Sequence, residues 1–242
     1  RVLALNLHCT QLGPARVWCS GRHGGVSAAP YGTCNVGDHV GDDDVAVRVN
    51  RERVASAAGL VEPDRWVWIR QVHGAAVHRA TEPTGADGPV ADAAVTAVRG
   101  LPLAVVTADC APIALAMDDA VGVVHAGHRG LEFGVIEAAV GALRQIGHGT
   151  VRAFLGPCIR PSHYEFGAAD LGRLVTRLGP DVAARTHDGR PALDIPAAVR
   201  GALASCGVDD LTEAGDCTAT SDAYFSYRRD GVTGRQATIV MR

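Results

Sequence analysis

Short apolar runs recur along the chain and predict β-strands. They are rich in β-branched residues and are bounded by Gly, Pro or Asp, which is typical of strands joined by tight turns. Some alternate with polar residues and others are apolar throughout, so part of the sheet is expected to be covered on both faces. The runs are "RWVWIRQVHG" (65–74), "AAVHRA" (75–80), "DAAVTAV" (92–98), "LPLAVVTA" (101–108), "PIALAM" (112–117), "VGVVHA" (121–126), "TVRAFLGP" (150–157) and "QATIVMR" (236–242).

Four other segments repeat apolar residues three and four positions apart, which is the spacing of a helix buried on one face. The clearest is expected to run from Glu132 to Ile146, closed by Gly147. Another is expected to be capped within residues 42–44 and to end at Ala58, before a glycine. The apolar positions of the other two are Leu171, Leu174, Val175 and Leu178, then Ile195, Ala198, Val199, Ala202 and Leu203, with Gly207 at the end.

Strands and helices are interleaved and no linker is visible, so the pattern predicts a mixed α/β fold in one domain over residues 1–242. Residues 17–43, "VWCSGRHGGVSAAPYGTCNVGDHVGDD", interrupt the regular pattern with glycine and turn-forming residues. They predict a strand followed by a long loop of the kind that often carries function.

Composition narrows the class of protein. Hydrophobic residues make up 47% of the 242 residues, which indicates a globular chain. The formal net charge of −3 gives no basic surface for nucleic acid. Without a recognisable signal peptide or a membrane-spanning apolar stretch, we expect a cytoplasmic protein with no membrane partner. The chain begins at Arg1 rather than Met, so we expect a few N-terminal residues to be missing; the sequence does not set the oligomeric state, and a monomer is compatible with it.

The basic and thiol residues exclude several mechanisms. All 23 basic residues are arginine, so Schiff-base, pyridoxal-phosphate and phosphate-loop lysines are absent. An anionic substrate must therefore be bound by Arg, His or backbone N–H groups. The seven cysteines form no CxxC pair, and their odd number favours free thiols in a reducing compartment.

Three candidate metal ligands, His73, Cys110 and His125, each come where an apolar run gives way to an abrupt turn. If these runs are strands, their ends can meet at one edge of a sheet. Two imidazoles and a thiolate suit a tetrahedral Zn²⁺ site whose fourth position is left for water, as in catalytic zinc sites. The gaps of 37 and 15 residues match no local zinc motif. On spacing alone, a packed thiol and two hydrogen-bonded loop histidines remain the simpler interpretation.

A series of motifs in a fixed order spans most of the chain. It resembles the multicopper polyphenol oxidase (laccase-domain) family, also called peptidoglycan editing factors, which includes bacterial purine nucleoside phosphorylases. The motifs are "GGVS" (24–27), "CNVGDHVGDD" (34–43), "VNR" (49–51), "QVHG" (71–74), "DAAVT" (92–96), "TADCAPI" (107–113), "HAGHRG" (125–130), "GPCI" (156–159), "YEFG" (164–167), "CT" (217–218) and "YFSYRRDGVTGRQA" (224–237).

The resemblance implies that His73, Cys110 and His125 bind zinc, and that the fold is a layered α/β/β/α sandwich with mixed β-sheets. It implies phosphorolysis of adenosine, inosine and guanosine to the free base and ribose 1-phosphate. Cleavage of 5′-methylthioadenosine and deamination of adenosine are further implied activities. The expected partners are thus purine nucleosides and phosphate; copper oxidation is the older and weaker interpretation.

The sequence departs from the usual family motif at one position that is expected to lie in the substrate pocket. The family usually has Trp where "HAGHRG" has His128. An indole can stack on a purine, whereas imidazole is smaller, polar and titratable. We predict that His128 binds substrate as part of the pocket wall rather than binding the metal.

Other polar residues in these motifs are candidates for the site. We predict catalytic roles for Arg129, which comes just before a predicted helix and suits an anion, and for Asp109, which could orient a ligand. Arg22 and Asn35 are predicted to bind substrate. The alternatives are an ion pair for Arg129, a turn cap for Asp109 and a solvated loop position for Arg22. The candidates for aromatic walls are Tyr164, Phe225 and Tyr227.

Three other functions remain open at this point. A copper polyphenol oxidase requires several coppers and a larger ligand set. A thiol hydrolase would use Cys110 as nucleophile and a histidine as base, which would fit the editing of peptidoglycan precursors. A binding module without catalysis is the fourth possibility.

Overall fold

The computed structural model describes residues 4–242, in which the strands form two sheets and a separate two-stranded ribbon. The strands are β1 (Leu7–Leu12), β2 (Ala15–Ser20), β3 (Val77–Arg79), β4 (Ala93–Thr96), β5 (Leu103–Thr107), β6 (Ala111–Ala116), β7 (Val121–Ala126), β8 (Arg152–Leu155), β9 (Ala183–Arg185), β10 (Pro191–Leu193), β11 (Asp210–Glu213) and β12 (Gln236–Met241). The four-stranded sheet has the order β1-β2-β12-β5 and is antiparallel. The six-stranded sheet has the order β11-β8-β6-β7-β4-β3, with parallel pairs at its two edges.

Helices cover the outer faces of both sheets. The helices of the described residues are α1 (Asp44–Ala58), α2 (His128–Phe133), α3 (Val135–Arg144), α4 (Ala168–Leu178), α5 (Ile195–Ser205) and the short α6 (Tyr227–Asp230), which has no buried residue. The predicted boundaries of α1 are confirmed, because the Asp43 side chain accepts a hydrogen bond from the Val45 N–H and Gly59 ends the helix in a left-handed conformation. Among the described residues, no helix is both long enough and apolar enough to cross a bilayer.

Side chains alternate between the two faces of each strand, so the buried residues form three separate core layers. In β5, Leu103 and Val105 pack between the two sheets, whereas Ala104 and Val106 pack towards α1. The opposite face of the six-stranded sheet packs against α3, α4 and α5. The α/β/β/α arrangement is therefore confirmed, with the difference that only the six-stranded sheet is mixed.

The prediction of one helix from Glu132 to Ile146 is wrong. The segment forms two helices that meet at Gly134, whose φ of 81° ends α2, and α3 stops at Arg144 rather than at Ile146. The apolar pattern continues across this break, because both helices pack against the same core. Periodicity therefore did not reveal the break.

The prediction of a strand at residues 65–74 is also wrong. Val67 and Arg70 form only isolated bridges to neighbouring segments, and His73 has a left-handed backbone with φ of 60°. The apolar residues here fill the core as side chains, with Trp66 and Trp68 stacked at 5.4 Å between ring centroids. The other predicted apolar runs coincide with β3 to β8 and β12.

Candidate metal centre and its pocket

His73, Cys110 and His125 come together at one end of the central strands of the six-stranded sheet. Strands β6 and β7 are antiparallel, and Pro112 pairs with His125, so Cys110 just before β6 lies beside the end of β7. His73 reaches the same end of these strands from the loop before β3. The three ligand atoms lie within 4.8 Å of one another, and Cys110 Sγ is 3.8 Å from His73 Nε2.

Asp92, just before β4, was not predicted as a site residue. Its buried carboxylate accepts a 2.8 Å hydrogen bond from His125 Nδ1. It also accepts hydrogen bonds of 3.2, 2.9 and 2.7 Å from the backbone N–H groups of Val72, His73 and Gly74. One side chain thus orients His125, leaving its Nε2 for a metal, and fixes the loop that carries His73. The signal in the sequence was its place at the start of "DAAVT".

The charges in the cluster favour the thiolate of Cys110. Burial by itself would raise the pKa of Cys110, but the adjacent His125 and His73 outweigh it and lower the pKa to about 6. Burial opposes the charge on His125 as well, yet Cys110 and Asp92 raise its pKa to about 9. The same hydrogen bonds from His125 and the backbone hold the pKa of Asp92 below its usual value despite burial. Thiolate is the form of cysteine that binds metals.

The donor set fits a single divalent ion. In a tetrahedral zinc site, a sulfur at ~2.3 Å and a nitrogen at ~2.05 Å are separated by about 3.6 Å. The observed Sγ–Nε2 distance of 3.8 Å is close to this value. Two imidazoles and a thiolate suit Zn²⁺ and also bind copper, so the ligands fit a metal without identifying it.

Gly127, between β7 and α2, makes room for the cluster. A Cβ added at this position would lie 2.7 Å from His73 Cδ2 and 3.1 Å from Cys110 Sγ. The backbone of Gly127 therefore packs directly against two candidate ligands. This close approach accounts for glycine at the centre of "HAGHRG".

The cluster opens into a cavity of about 400 Å³, a volume within the usual range for small-molecule sites. The cavity is lined by His39, Gln71, His73, Val106, Thr107, Ala108, Asp109, Cys110, His125, His128, Tyr164, Tyr227, Arg228 and Arg235. A larger cavity of about 470 Å³ lies beside α1, but the cluster does not line it. The candidate ligands, and not the volume of the cavity, therefore distinguish the site.

Asp109 and His128 both line the cavity. Asp109 has a φ of 99°, and its two carboxylate oxygens accept hydrogen bonds from Thr218 Oγ1 at 2.6 Å and from the Arg228 N–H at 2.7 Å. It therefore ties the loop before Cys110 to the C-terminal segment. The His128 ring packs edge-on against Phe166 at 5.2 Å between centroids, and His128 is not one of the three clustered ligands.

Arg129 and Arg22, predicted as a catalytic and a substrate-binding residue, are not among the residues that line the cavity. Helix α2 begins at His128, four residues before the predicted start at Glu132, so Arg129 is inside its first turn, exposed and 5.9 Å from the Phe133 ring centroid. Successive side chains of a helix project in different directions, so Arg129 points away from the cavity that its neighbour His128 lines. Arg22 forms an ion pair with Asp230 at 3.3 Å.

Asn35 is buried and also does not line the cavity. Its Nδ2 donates hydrogen bonds to the Gly37 carbonyl and to Asp42, and its Oδ1 accepts from the Gly37 and Arg235 N–H groups. It therefore fixes the backbone of Arg235, which does line the cavity. Its contact with the site is indirect.

Two arginines of the cavity, Arg228 and Arg235, were not predicted as site residues. Arg228 lies 4.8 Å from the Tyr164 ring centroid and donates a 3.0 Å hydrogen bond to the Glu165 carbonyl. One amino group of Arg235 donates to two backbone carbonyls of its own loop, at 2.9 and 3.0 Å. Both residues belong to the motif "YFSYRRDGVTGRQA", which was the available signal. Of the three aromatic candidates, Tyr164 and Tyr227 line the cavity.

Comparison with known proteins gives one consistent family. The chain is 44% identical to the purine nucleoside phosphorylase ORF3 of Streptomyces griseus, over 94% of each chain. It is 36% identical to the purine nucleoside phosphorylase YfiH of Escherichia coli, over 91% of each chain. The motif-based prediction of the family is thereby confirmed.

Solved structures support the same conclusion. YlmD from Geobacillus stearothermophilus superposes with a TM-score of 0.88 at 32% identity, covering 95% of this chain and 92% of its own. Protein NMB0706 from Neisseria meningitidis gives a TM-score of 0.87 at 32% identity, with 98% of each chain covered. The family model described as multi-copper polyphenol oxidoreductase laccase matches residues 16–242. The chain therefore belongs to the multi-copper polyphenol oxidoreductase laccase family.

Proposed function

We propose that the protein is a zinc-dependent purine nucleoside phosphorylase. The observation that carries the proposal is the cluster of His73, Cys110 and His125, which opens into a cavity that also contains Arg228 and Arg235. The names of the relatives from Streptomyces griseus and Escherichia coli support the same activity. The proposed substrates are adenosine, inosine and guanosine together with phosphate.

His73, Cys110 and His125 would hold the zinc ion, with Asp92 orienting two of these ligands. When bound, zinc supplies a Lewis acid and an open position for an oxygen ligand. The protein side chains determine where the other parts of the substrate bind. Tyr164, which lines the cavity, offers an aromatic face for a purine.

We assign phosphate binding to Arg228 and Arg235, because guanidinium groups match the geometry of phosphate oxygens. In the reaction, a phosphate oxygen forms a bond to C1′ of the ribose while the bond from C1′ to the base nitrogen breaks. The electron pair of that bond leaves with the base, which takes up a proton. Positive charges beside the phosphate hold the nucleophile against C1′ and reduce its repulsion from other anionic groups in the cavity.

Two further activities are proposed for the same cavity. Cleavage of 5′-methylthioadenosine needs only a different 5′ substituent on the ribose. Deamination of adenosine would use water in place of phosphate, with the oxygen of water bonding to C6 and the 6-amino group leaving as ammonia; zinc, when bound, would supply a Lewis acid for this reaction. Both activities would require the same three metal ligands.

Incubation of the zinc-loaded protein with inosine and phosphate tests the proposal. We expect hypoxanthine and ribose 1-phosphate to form, about one zinc per chain, and no ribose 1-phosphate when phosphate is omitted. His73→Ala and Cys110→Ala should each abolish the activity. Unchanged activity in either variant would contradict the proposed mechanism.

The phosphate assignment has its own test. Arg235→Met keeps the length of the side chain and removes its charge, so we expect the KM for phosphate to rise roughly tenfold or more. The KM for inosine should change much less. Arg144→Ala, at an exposed arginine outside the cavity, is the control and should leave both constants unchanged. An unaltered phosphate KM in Arg235→Met would reject this assignment.

A thiol hydrolase is the second candidate, because Cys110 Sγ lies 3.8 Å from His73 Nε2. Its substrate would be an amide such as a peptidoglycan precursor. Alkylation separates the two functions: a zinc-bound thiolate is protected until a chelator is added, whereas a nucleophilic thiol is labelled at once.

Copper polyphenol oxidase chemistry has weaker support, since residues 4–242 contain one cluster of three ligands rather than the larger set that several coppers require. Oxygen consumption and a strong visible band after copper loading would favour it.

A further inference from the structure

Thr107, the last residue of β5, carries a buried hydroxyl whose hydrogen bonding is incomplete. Thr107 is 2% exposed, and its Oγ1 has no hydrogen-bond partner within residues 4–242. Leaving a buried hydroxyl unpaired is destabilising, because the group has lost its hydrogen bonds to water, so such groups in native proteins generally have a partner. The missing partner must come from outside the described protein atoms.

Thr107 is also one of the residues that line the cavity of the candidate metal centre. Side chains alternate along a strand, so Thr107 faces the same way as Leu103 and Val105, which pack between the sheets. That face looks towards the six-stranded sheet, where Cys110 and His125 lie at the strand ends. Thr107 therefore lines the cavity, and its buried hydroxyl belongs to a side chain on the face that looks towards the sheet carrying Cys110 and His125.

The neighbouring polar side chains already have other partners. Gln71 exchanges two 2.8 Å hydrogen bonds with the backbone of Val106. Gln236, which pairs with Thr107 across the sheet, bonds through its side chain to the backbone N–H and carbonyl of Phe225. Arg235, one of the two cavity arginines, comes immediately before Gln236, so the register brings the proposed phosphate site next to Thr107.

We propose that the Thr107 hydroxyl binds substrate through a hydrogen bond to one of its oxygens, either a phosphate oxygen or a ribose hydroxyl. This inference rests on the proposed phosphorylase function. A threonine hydroxyl can donate to phosphate and can both donate to and accept from a sugar hydroxyl. Thr107 is thus a substrate-binding residue whose partner arrives with the ligand.

Three variants test the inference. Thr107→Val keeps the shape of the side chain and removes the hydroxyl, whereas Thr107→Ser keeps the hydroxyl. Thr233→Val is the matched control, because Thr233 is also 2% exposed with an unpaired Oγ1 but does not line the cavity. The measurements are the melting temperature, the KM for inosine and for phosphate, and the binding of each ligand by calorimetry.

We expect Thr107→Val to fold with an unchanged or higher melting temperature and to raise one of the two KM values roughly three- to tenfold. A change in the phosphate KM identifies a phosphate oxygen as the partner, and a change in the inosine KM identifies a ribose hydroxyl. Thr107→Ser should restore the affected constant, and Thr233→Val should alter neither.

Two results would overturn the inference, and they are distinguishable. If the wild-type protein phosphorolyses inosine and Thr107→Val does so with unchanged KM values, the assignment of Thr107 is wrong and the proposed function stands. If the wild-type protein neither turns over nor binds inosine or phosphate, the proposed function fails and the assignment fails with it.

Discussion

At the scale of single residues, the Asp92 carboxylate connects two of the three candidate metal ligands. It bonds to the ring of His125 and to the backbone of His73. Asp92→Asn keeps the size of the side chain but removes its charge and places an NH₂ group against N–H donors. We expect zinc affinity, measured by competition with a chelator, to fall about 10- to 100-fold.

Asp119 provides a matched control for Asp92. It accepts a 2.7 Å hydrogen bond from His148 Nδ1 and another from the His148 N–H, but this pair is exposed and lies outside the candidate metal cluster. Asp119→Asn should leave zinc affinity unchanged. Equal zinc affinities for the Asp92 and Asp119 variants would show that Asp92 does not position the ligands.

Gly127 makes a second prediction at this scale. In Gly127→Ala, the new Cβ would overlap His73 Cδ2 at 2.7 Å. We expect zinc affinity to fall on the order of tenfold or more, because small displacements of ligands weaken a metal site. Gly167→Ala is the control, since Gly167 also precedes a helix with an extended backbone and its Cβ would meet no atom within 4 Å. The prediction is wrong if both variants retain full zinc content.

At the scale of elements, the break between α2 and α3 places two helices where one was predicted. Gly134 carries the break with a φ of 81°. Left-handed backbone costs a residue with a Cβ about 1–2 kcal/mol, so Gly134→Ala should lower the free energy of unfolding by about that amount in a urea titration.

Gly141 serves as the comparison for Gly134, because it lies within α3 and a Cβ there would meet no atom within 4 Å. Gly141→Ala should raise the free energy of unfolding by about 0.5–1 kcal/mol, since alanine favours helix interiors. Destabilisation of the same size in both variants would show that the left-handed conformation is not the cause.

At the scale of the whole molecule, a bound metal joins segments that are distant in sequence, namely the loop before β3 and the adjoining ends of β6 and β7. A ligand that binds only the folded state stabilises it, by about 2.7 kcal/mol at a free concentration one hundred times its Kd. For a chain of this length we expect zinc to raise the melting temperature by roughly 5–10 °C.

Two controls accompany this thermal experiment. Cys110→Ser, which removes the sulfur ligand, should show little or no zinc-dependent shift. Mg²⁺ should not raise the melting temperature of the wild-type protein through this site, because it prefers oxygen ligands. A zinc-dependent shift of the same size in Cys110→Ser would place the bound zinc elsewhere.

Much of the fold could be predicted from local patterns. The strands β4 to β7 are buried apolar runs of four to six residues, and α1 carries both of its expected end signals. Local patterns failed where contacts with distant parts of the chain determine whether a segment forms a strand. The segment 65–74 is apolar because it fills the core, and β1 is largely exposed and polar, so it lacked a strand signal.

Some residues of the candidate site could likewise be predicted from the sequence, and others could not. The motifs supplied His73, Cys110 and His125, because a metal needs particular ligand types. They also drew attention to Arg129 and Arg22, which carry the right charge but do not line the cavity. Arg228 and Arg235 do line it, but their motif also contains Arg229, so the motif alone does not show which of its arginines reach the cavity.

By itself, the sequence determined the family, most of the buried strands and helices, and the chemical identity of the candidate ligands, since these depend on residue type and local spacing. Only the tertiary structure decided which arginines reach the cavity, that Asp92 links two ligands, and that the Thr107 hydroxyl is left unpaired. These properties depend on distances between atoms far apart in the chain. Such distances are fixed by the packing of the two sheets, which no local pattern encodes.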